Sequence, residues 1–151
     1  MSIGELCNRN VVIVGRAESV LQAARLMREH HVGDVVVVAD KAEGKQPVGI
    51  LTDRDIVVEL VAEGVDLDAV SVGDAMSNQL LILGESDELA EATARMRTRG
   101  VRRAPVVDNV GALVGILTLD DILEILSAEL ADLVRLTVRE QHHERGVRSQ
   151  P

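Results

Sequence analysis

Phenylalanine, tyrosine and tryptophan are absent from all 151 residues. A core must therefore be built from Val, Leu, Ile, Ala and Met, and a bound base would lie between aliphatic groups instead of stacking on a ring. Cysteine occurs once, as Cys7, which excludes an internal disulfide framework and fits a reducing compartment. No apolar run reaches the ~20 residues needed to span a bilayer. The opening MSIGELCNRN contains Glu5 and lacks the apolar stretch of a signal peptide. Positive charge is scarce: 16 Lys and Arg stand against 25 Asp and Glu, giving a net charge of −9 and a pI near 4.9. That balance argues against a general nucleic-acid binder and against docking on an anionic membrane. The expectation is a soluble, cytoplasmic protein. Hydrophobic residues at 46% and charged residues at 27% are an ordinary globular balance, so a disordered chain is also excluded.

What the chain does contain is a repeat of itself. GILTDRDIV, from Gly49 to Val57, returns as GILTLDDIL from Gly115 to Leu123, 66 residues later. Upstream, Met27-Arg28 returns as Met96-Arg97, 69 residues later. The difference of three falls in the turn after Asp40, where KAEGKQPV is longer than NVGALV, in a segment where insertions are tolerated. Preserved order, spacing and chemistry point to duplication.

Each unit reads alike. A short apolar strand (Val11 to Val14; Leu80 to Leu83) leads to a helix opening near Ser19 or Ser86. The first helix buries Val20, Ala23, Ala24 and Met27, and its copy buries Leu89, Ala92 and Met96. A β-branched run follows (Val35 to Val38; Pro105 to Val107), then a turn, a strand (Val48 to Leu51; Leu113 to Leu117) and a second helix at Thr52 or Thr118. Near-continuous Val and Ile imply strands buried on both faces. Units of about 60 residues are too small to be secure alone, so the halves are expected to pack together. The divisions are residues 1–70, 71–127 and a helical extension with a polar tail, 128–151. In that extension Leu123, Leu126, Leu130, Leu133 and Thr137 alternate spacings of three and four. The helix either packs back on its own domain or is shared with a second subunit.

The chemistry rests on the repeated Gly-hydrophobic-hydrophobic-Thr-x-x-Asp. A helix start leaves backbone N–H groups unpaired and carries partial positive charge, which suits a phosphate. Asp55, one turn in from Thr52, can accept two hydrogen bonds from the vicinal hydroxyls of a ribose. Thr118 and Asp121 repeat the arrangement. The same four residues also make a variant capping box in which both side chains only satisfy the helix terminus. The motif leaves both readings open.

HHVGDVVVVAD…GILTDRDIV, repeated as RGVRRAPVVDN…GILTLDDIL, resembles a pair of CBS (cystathionine β-synthase) domains, a Bateman module, over about residues 8 to 127. The resemblance implies an α/β (α+β) fold of tandem β-α-β-β-α repeats about a pseudo-twofold axis. It also implies a non-catalytic regulatory module that takes AMP, ADP, ATP or S-adenosylmethionine in clefts between the repeats. Such a module often serves energy sensing and dimerises. Each cleft would draw on both repeats. The first would combine Thr52, Arg54 and Asp55 with Leu80 to Leu83, including Leu81 and Ile82, and with Arg102, Arg103, Ala104 and Pro105. The second would combine Thr118 and Asp121 with Val12, Ile13, Gly33, Asp34 and Val35; Val36 stands there where the other repeat has Pro105.

Five arginines lie between Arg95 and Arg103. Arg95, Arg97 and Arg99 read as a solvated helix face, whereas Arg102 and Arg103 are placed to meet a phosphate. His30-His31 and His142-His143 lack structural-zinc spacing, Cys7 has no base beside it, and no P-loop, Rossmann fingerprint or nucleophile elbow occurs. The expectation is no enzyme, no metal and no covalent cofactor, with a small-molecule nucleotide, a homodimer and an unidentified protein effector as partners. The alternative is a ligand-free structural or dimerisation scaffold. Charge also divides the clefts, since Asp34 and Asp120 replace Arg103 and Arg54 in the second.

Overall fold

The computed structural model describes residues 1–148; positions 149–151 of the expected polar tail lie outside the described residues. The chain forms two compact units, Met1–Leu117 and the segment from Thr118 onward.

The first unit opens with a one-turn helix α1 (Ile3–Leu6) and then the first repeat: β1 (Ile13–Gly15), α2 (Val20–His30), β2 (Asp34–Lys41) and β3 (Gly44–Thr52). Ser19 caps α2 by accepting from the Gln22 N–H, and the helix buries Val20, Ala23 and Met27 at spacings of three and four. Its end turns through His31 at φ 54°, a left-handed C-cap, so the local role of this histidine is conformational. β2 is the centre of the sheet, parallel to β1 and antiparallel to β3. Its Val35 and Val37 join α2 in the core, while Val36 and Val38 pack with Ile116 on the opposite face. Both faces of the Val run are therefore buried. The three extra residues after Asp40 lengthen the β2–β3 hairpin instead of enlarging a loop: Lys41 pairs with Gly44, and Lys45 donates to Asp40 across it. β3 ends in a three-residue α-turn, α3 (Asp53–Asp55), continued by a π-helical segment, Ile56–Val61.

The second repeat has α4 (Val72–Ala75), β4 (Leu83–Gly84), α5 (Leu89–Arg99), β5 (Arg103–Val107) and β6 (Leu113–Thr118). Its sheet runs β4-β5-β6, with β4 parallel to β5. The first strand is shorter than the apolar run Leu80 to Leu83, and α5 opens with Glu88 at its N-cap, not near Ser86. Asp87 accounts for the shift: its Oδ2 accepts from the Gly84 N–H, as Glu18 accepts from Gly15 in the first copy. That turn places Glu88 where Ser19 stands.

The two lead-in helices are exchanged. Ser2 bridges to Glu88 and Asn8 to Ile116, while Ser71 bridges to Ser19 and Ser77 to Ile50. Val72 of α4 is thus part of the first repeat's core. The motif glycines have a packing reason in this exchange. A Cβ on Gly49 would stand 2.2 Å from Met76 Sδ, and one on Gly115 would stand 2.6 Å from Cys7 Sγ and 2.9 Å from Asn8 O.

The second unit is dominated by α6 (Leu119–Arg148), a helix of 30 residues whose one buried side chain is Ile122. Leu123, Leu126, Leu130 and Leu133 are about half to two-thirds exposed.

Candidate functional site

The end of β3 meets the segment after α4 and the end of α5 around a cleft of about 370 Å³. Thr52, Arg54 and Asp55 line one wall, Leu80 and Leu81 a second, and Arg102 and Arg103 a third. The volume is within the range of small-molecule sites. Six further residues complete it: Ile50, Asp53, Ser77, Gln79, Gly100 and Val101. Ser77 and Gln79 follow the exchanged lead-in, so no local pattern near the motif announces them. Ile50, Leu80, Leu81 and Val101 give the cleft aliphatic surface.

The other residues expected in this cleft are placed differently. Ala104 and Pro105 are fully buried in β5. Ile82 lies off the cleft, and its carbonyl accepts from Arg95 Nη2. Arg95 also bonds Asp87 through Nη1, so it braces the start of α5 and is not merely a solvated charge.

The start of α3 is not an open anion site. The Asp53 N–H donates to Gly33 O at 2.9 Å, the Arg54 N–H to Asp53 Oδ1 at 2.8 Å, and the Asp55 N–H to Thr52 Oγ1 at 3.0 Å. The Thr52 N–H in turn donates to Asp55 Oδ2 at 3.1 Å, completing a capping box. The expectation that unpaired N–H groups would take a phosphate is therefore overturned: the loop carrying Gly33 and the Asp53 side chain satisfy them first. The guanidinium groups of Arg54 and Arg102 are exposed and form no ion pair with a described residue. Capping engages only Oδ2 of Asp55.

Arg103 is not a free cation. Its Nη1 donates to Asp34 Oδ2, joining the matching positions of the two repeats, with side chains 30% and 18% exposed. Asp34 and Arg103 thus offset each other instead of standing as separate charges. Removing each partner singly and together is expected to give a coupling of about 1 kcal/mol in urea melts; zero coupling would refute a stabilising pair.

The residues expected in the second cleft lie as follows. Thr118 and Asp121 form their own capping box, with bonds of 3.1 and 3.2 Å. Val12 and Ile13 line a hollow of about 690 Å³ with Leu26, His30 and Val32. Val35 is fully buried in the core, so its side chain faces no ligand. Gly33 is held close to Asp53, which its carbonyl bonds. Among the described residues no group of three or more His, Cys, Asp or Glu is gathered to hold a metal, and no helix is long and apolar enough to cross a membrane.

The CBS domain family model matches residues 3–62 and 72–128. The chain belongs to the CBS domain family. It is 40% identical over 125 residues to an uncharacterized protein of Methanopyrus kandleri, a match that takes in 83% of this chain and 62% of that one. Hypoxic response protein 1 of Mycobacterium tuberculosis is 33% identical over 118 residues, 78% of this CBS chain and 80% of the relative. The crystal structure of Hypoxic Response Protein I, with two coordinated zinc ions, superposes with a TM-score of 0.69 at 31% identity, covering 82% of this chain and 98% of that one. A CBS domain pair solved with 5'-methylthioadenosine and S-adenosyl-L-methionine has a TM-score of 0.73 at 20% identity, covering 85% and 98%, and shows the fold alone. The cytosolic domain of the Mg2+ channel MgtE in complex with ATP has a TM-score of 0.68 at 26% identity, covering 82% and 48%.

Proposed function

We propose that this CBS pair is a non-catalytic regulatory module whose Asp55 cleft takes an adenine nucleotide, AMP, ADP or ATP, and that a protein effector reads the bound state. One observation carries the reading. A carboxylate with a spare oxygen and two unpaired arginines converge on one cleft drawn from both repeats. The carboxylate suits a ribose, the aliphatic walls suit a base, and the arginines suit phosphate oxygens. S-adenosylmethionine uses the same ribose and base contacts but offers no phosphate, so Arg54 and Arg102 favour nucleotides over it. The ATP complex of MgtE supports an adenosyl ligand in general. A module of this kind would serve energy sensing. The scaffold reading keeps one observation in its favour, since both Thr-x-x-Asp motifs are complete capping boxes.

Without aromatic residues the protein has almost no absorbance at 280 nm, so a 260 nm band after purification reports bound nucleotide directly. Ligand at a hundred times its Kd is expected to add about 2.7 kcal/mol of stability, a clear rise in melting temperature. No 260 nm band, together with a melting temperature unmoved by millimolar AMP, ATP and S-adenosylmethionine, would leave the scaffold.

A further inference from the structure

We infer that Asp34 is a specificity-determining residue of the Asp55 cleft, setting its response to phosphate charge; this rests on the cleft taking a nucleotide. Five charged side chains line the cleft, Arg54, Arg102 and Arg103 against Asp53 and Asp55. Asp34 adds a sixth charge to the set, because its Oδ2 accepts from Arg103 Nη1. Three positive groups then stand against three negative ones. With the balance even, a single charge decides whether additional phosphate is attracted or repelled.

The fold fixes Asp34 in that place. It opens β2 and pairs with Thr52 across the β2–β3 ladder. The residue before it is Gly33, whose carbonyl accepts from the Asp53 N–H at 2.9 Å. The carboxylate is thus carried on the strand beside the wall that holds Thr52 and Asp53. Arg103 opens β5 in the other repeat, so its bond to Asp34 crosses from one repeat to the other. No other ion pair among the described residues has side chains as little exposed, so solvent screens this one least. Arg54 and Arg102, by contrast, are exposed and form no ion pair with a described residue, which leaves them available to a phosphate. Arg103 borders the same cleft but is held by its neighbour. Asp34 therefore keeps the third arginine from favouring a triphosphate over a monophosphate.

The test is titration calorimetry on the full chain with AMP and ATP, free of divalent cations, so that the ligands carry about two and about four negative charges. Asp34→Asn keeps the shape and an acceptor oxygen and removes one negative charge. It is expected to tighten AMP about threefold and ATP, on twice the charge, about tenfold. Arg103→Gln removes the positive member and is expected to weaken the two ligands by the same factors. The ratio of the two Kd values then moves in opposite directions, by about tenfold between the variants. Both shifts should shrink in about 0.5 M salt. A partly unfolded variant weakens both ligands by one common factor, so lost stability leaves the ratio alone. Any other behaviour of the ratio, including an equal loss of AMP and ATP in both variants, means a pair that only braces the fold and overturns the proposal. If the unsubstituted chain binds neither nucleotide, the nucleotide reading of the cleft fails and this one with it; binding with an unmoved ratio overturns this one alone.

Discussion

Asp55→Asn is expected to weaken nucleotide binding by about 10- to 150-fold, the equivalent of losing one charge-assisted hydrogen-bonding oxygen. Asparagine keeps an acceptor for the Thr52 N–H, so the cap that Asp55 Oδ2 now supplies at 3.1 Å survives and the fold with it. What it loses is the anionic oxygen that the cap does not use. Asp55→Ala removes both functions and is expected to cost about 1 kcal/mol of stability in addition. Titration calorimetry with AMP and ATP on the full chain, beside urea melts, separates the two effects. Asp121→Asn serves as the contrast. The neighbour of that carboxylate is Asp120 where Asp55 has Arg54, so its loss is expected to leave phosphorylated nucleotide binding nearly unchanged. If Asp121→Asn abolishes binding and Asp55→Asn does not, the assignment to the Asp55 cleft is wrong. Equal losses would mean equivalent or coupled sites.

The second large effect concerns folding. Gly115→Ala is expected to destabilise the protein by about 1–3 kcal/mol, because the new methyl group meets Cys7 Sγ at 2.6 Å and the Asn8 carbonyl oxygen at 2.9 Å. The oxygen belongs to backbone that is held to Ile116 by two hydrogen bonds of 2.9 Å, so it yields only if that bridge opens. Gly15→Ala is the control. Nothing lies within 4 Å of its added Cβ and its φ is not positive, so it is expected to be neutral or to stabilise by about 0.4–1 kcal/mol through the unfolded chain. The denaturation midpoint should fall for Gly115→Ala and hold or rise for Gly15→Ala. An unchanged midpoint for Gly115→Ala would mean that the lead-in is not held against β6.

The sequence by itself determined the duplication, the order of elements, the aliphatic core and the family. These follow from local patterns: the Val run makes a strand buried on both faces, and the spacing of Val20, Ala23 and Met27 makes one helix face. The grouping of Thr52, Arg54, Asp55, Leu81, Arg102 and Arg103 came from the resemblance to CBS pairs and not from local spacing, and these six residues line one cleft. Tertiary structure alone decided three things. The lead-in helices are exchanged between repeats, since bridges such as Ser2 to Glu88 span distances no local pattern reports. The start of α3 is satisfied by Gly33 O and the Asp53 side chain, which moves any phosphate from backbone N–H groups to arginine side chains. And Arg103 is held by Asp34, because the duplicated positions face each other across the two repeats; a charge counted along the chain becomes a neutral pair once its partner is brought within reach.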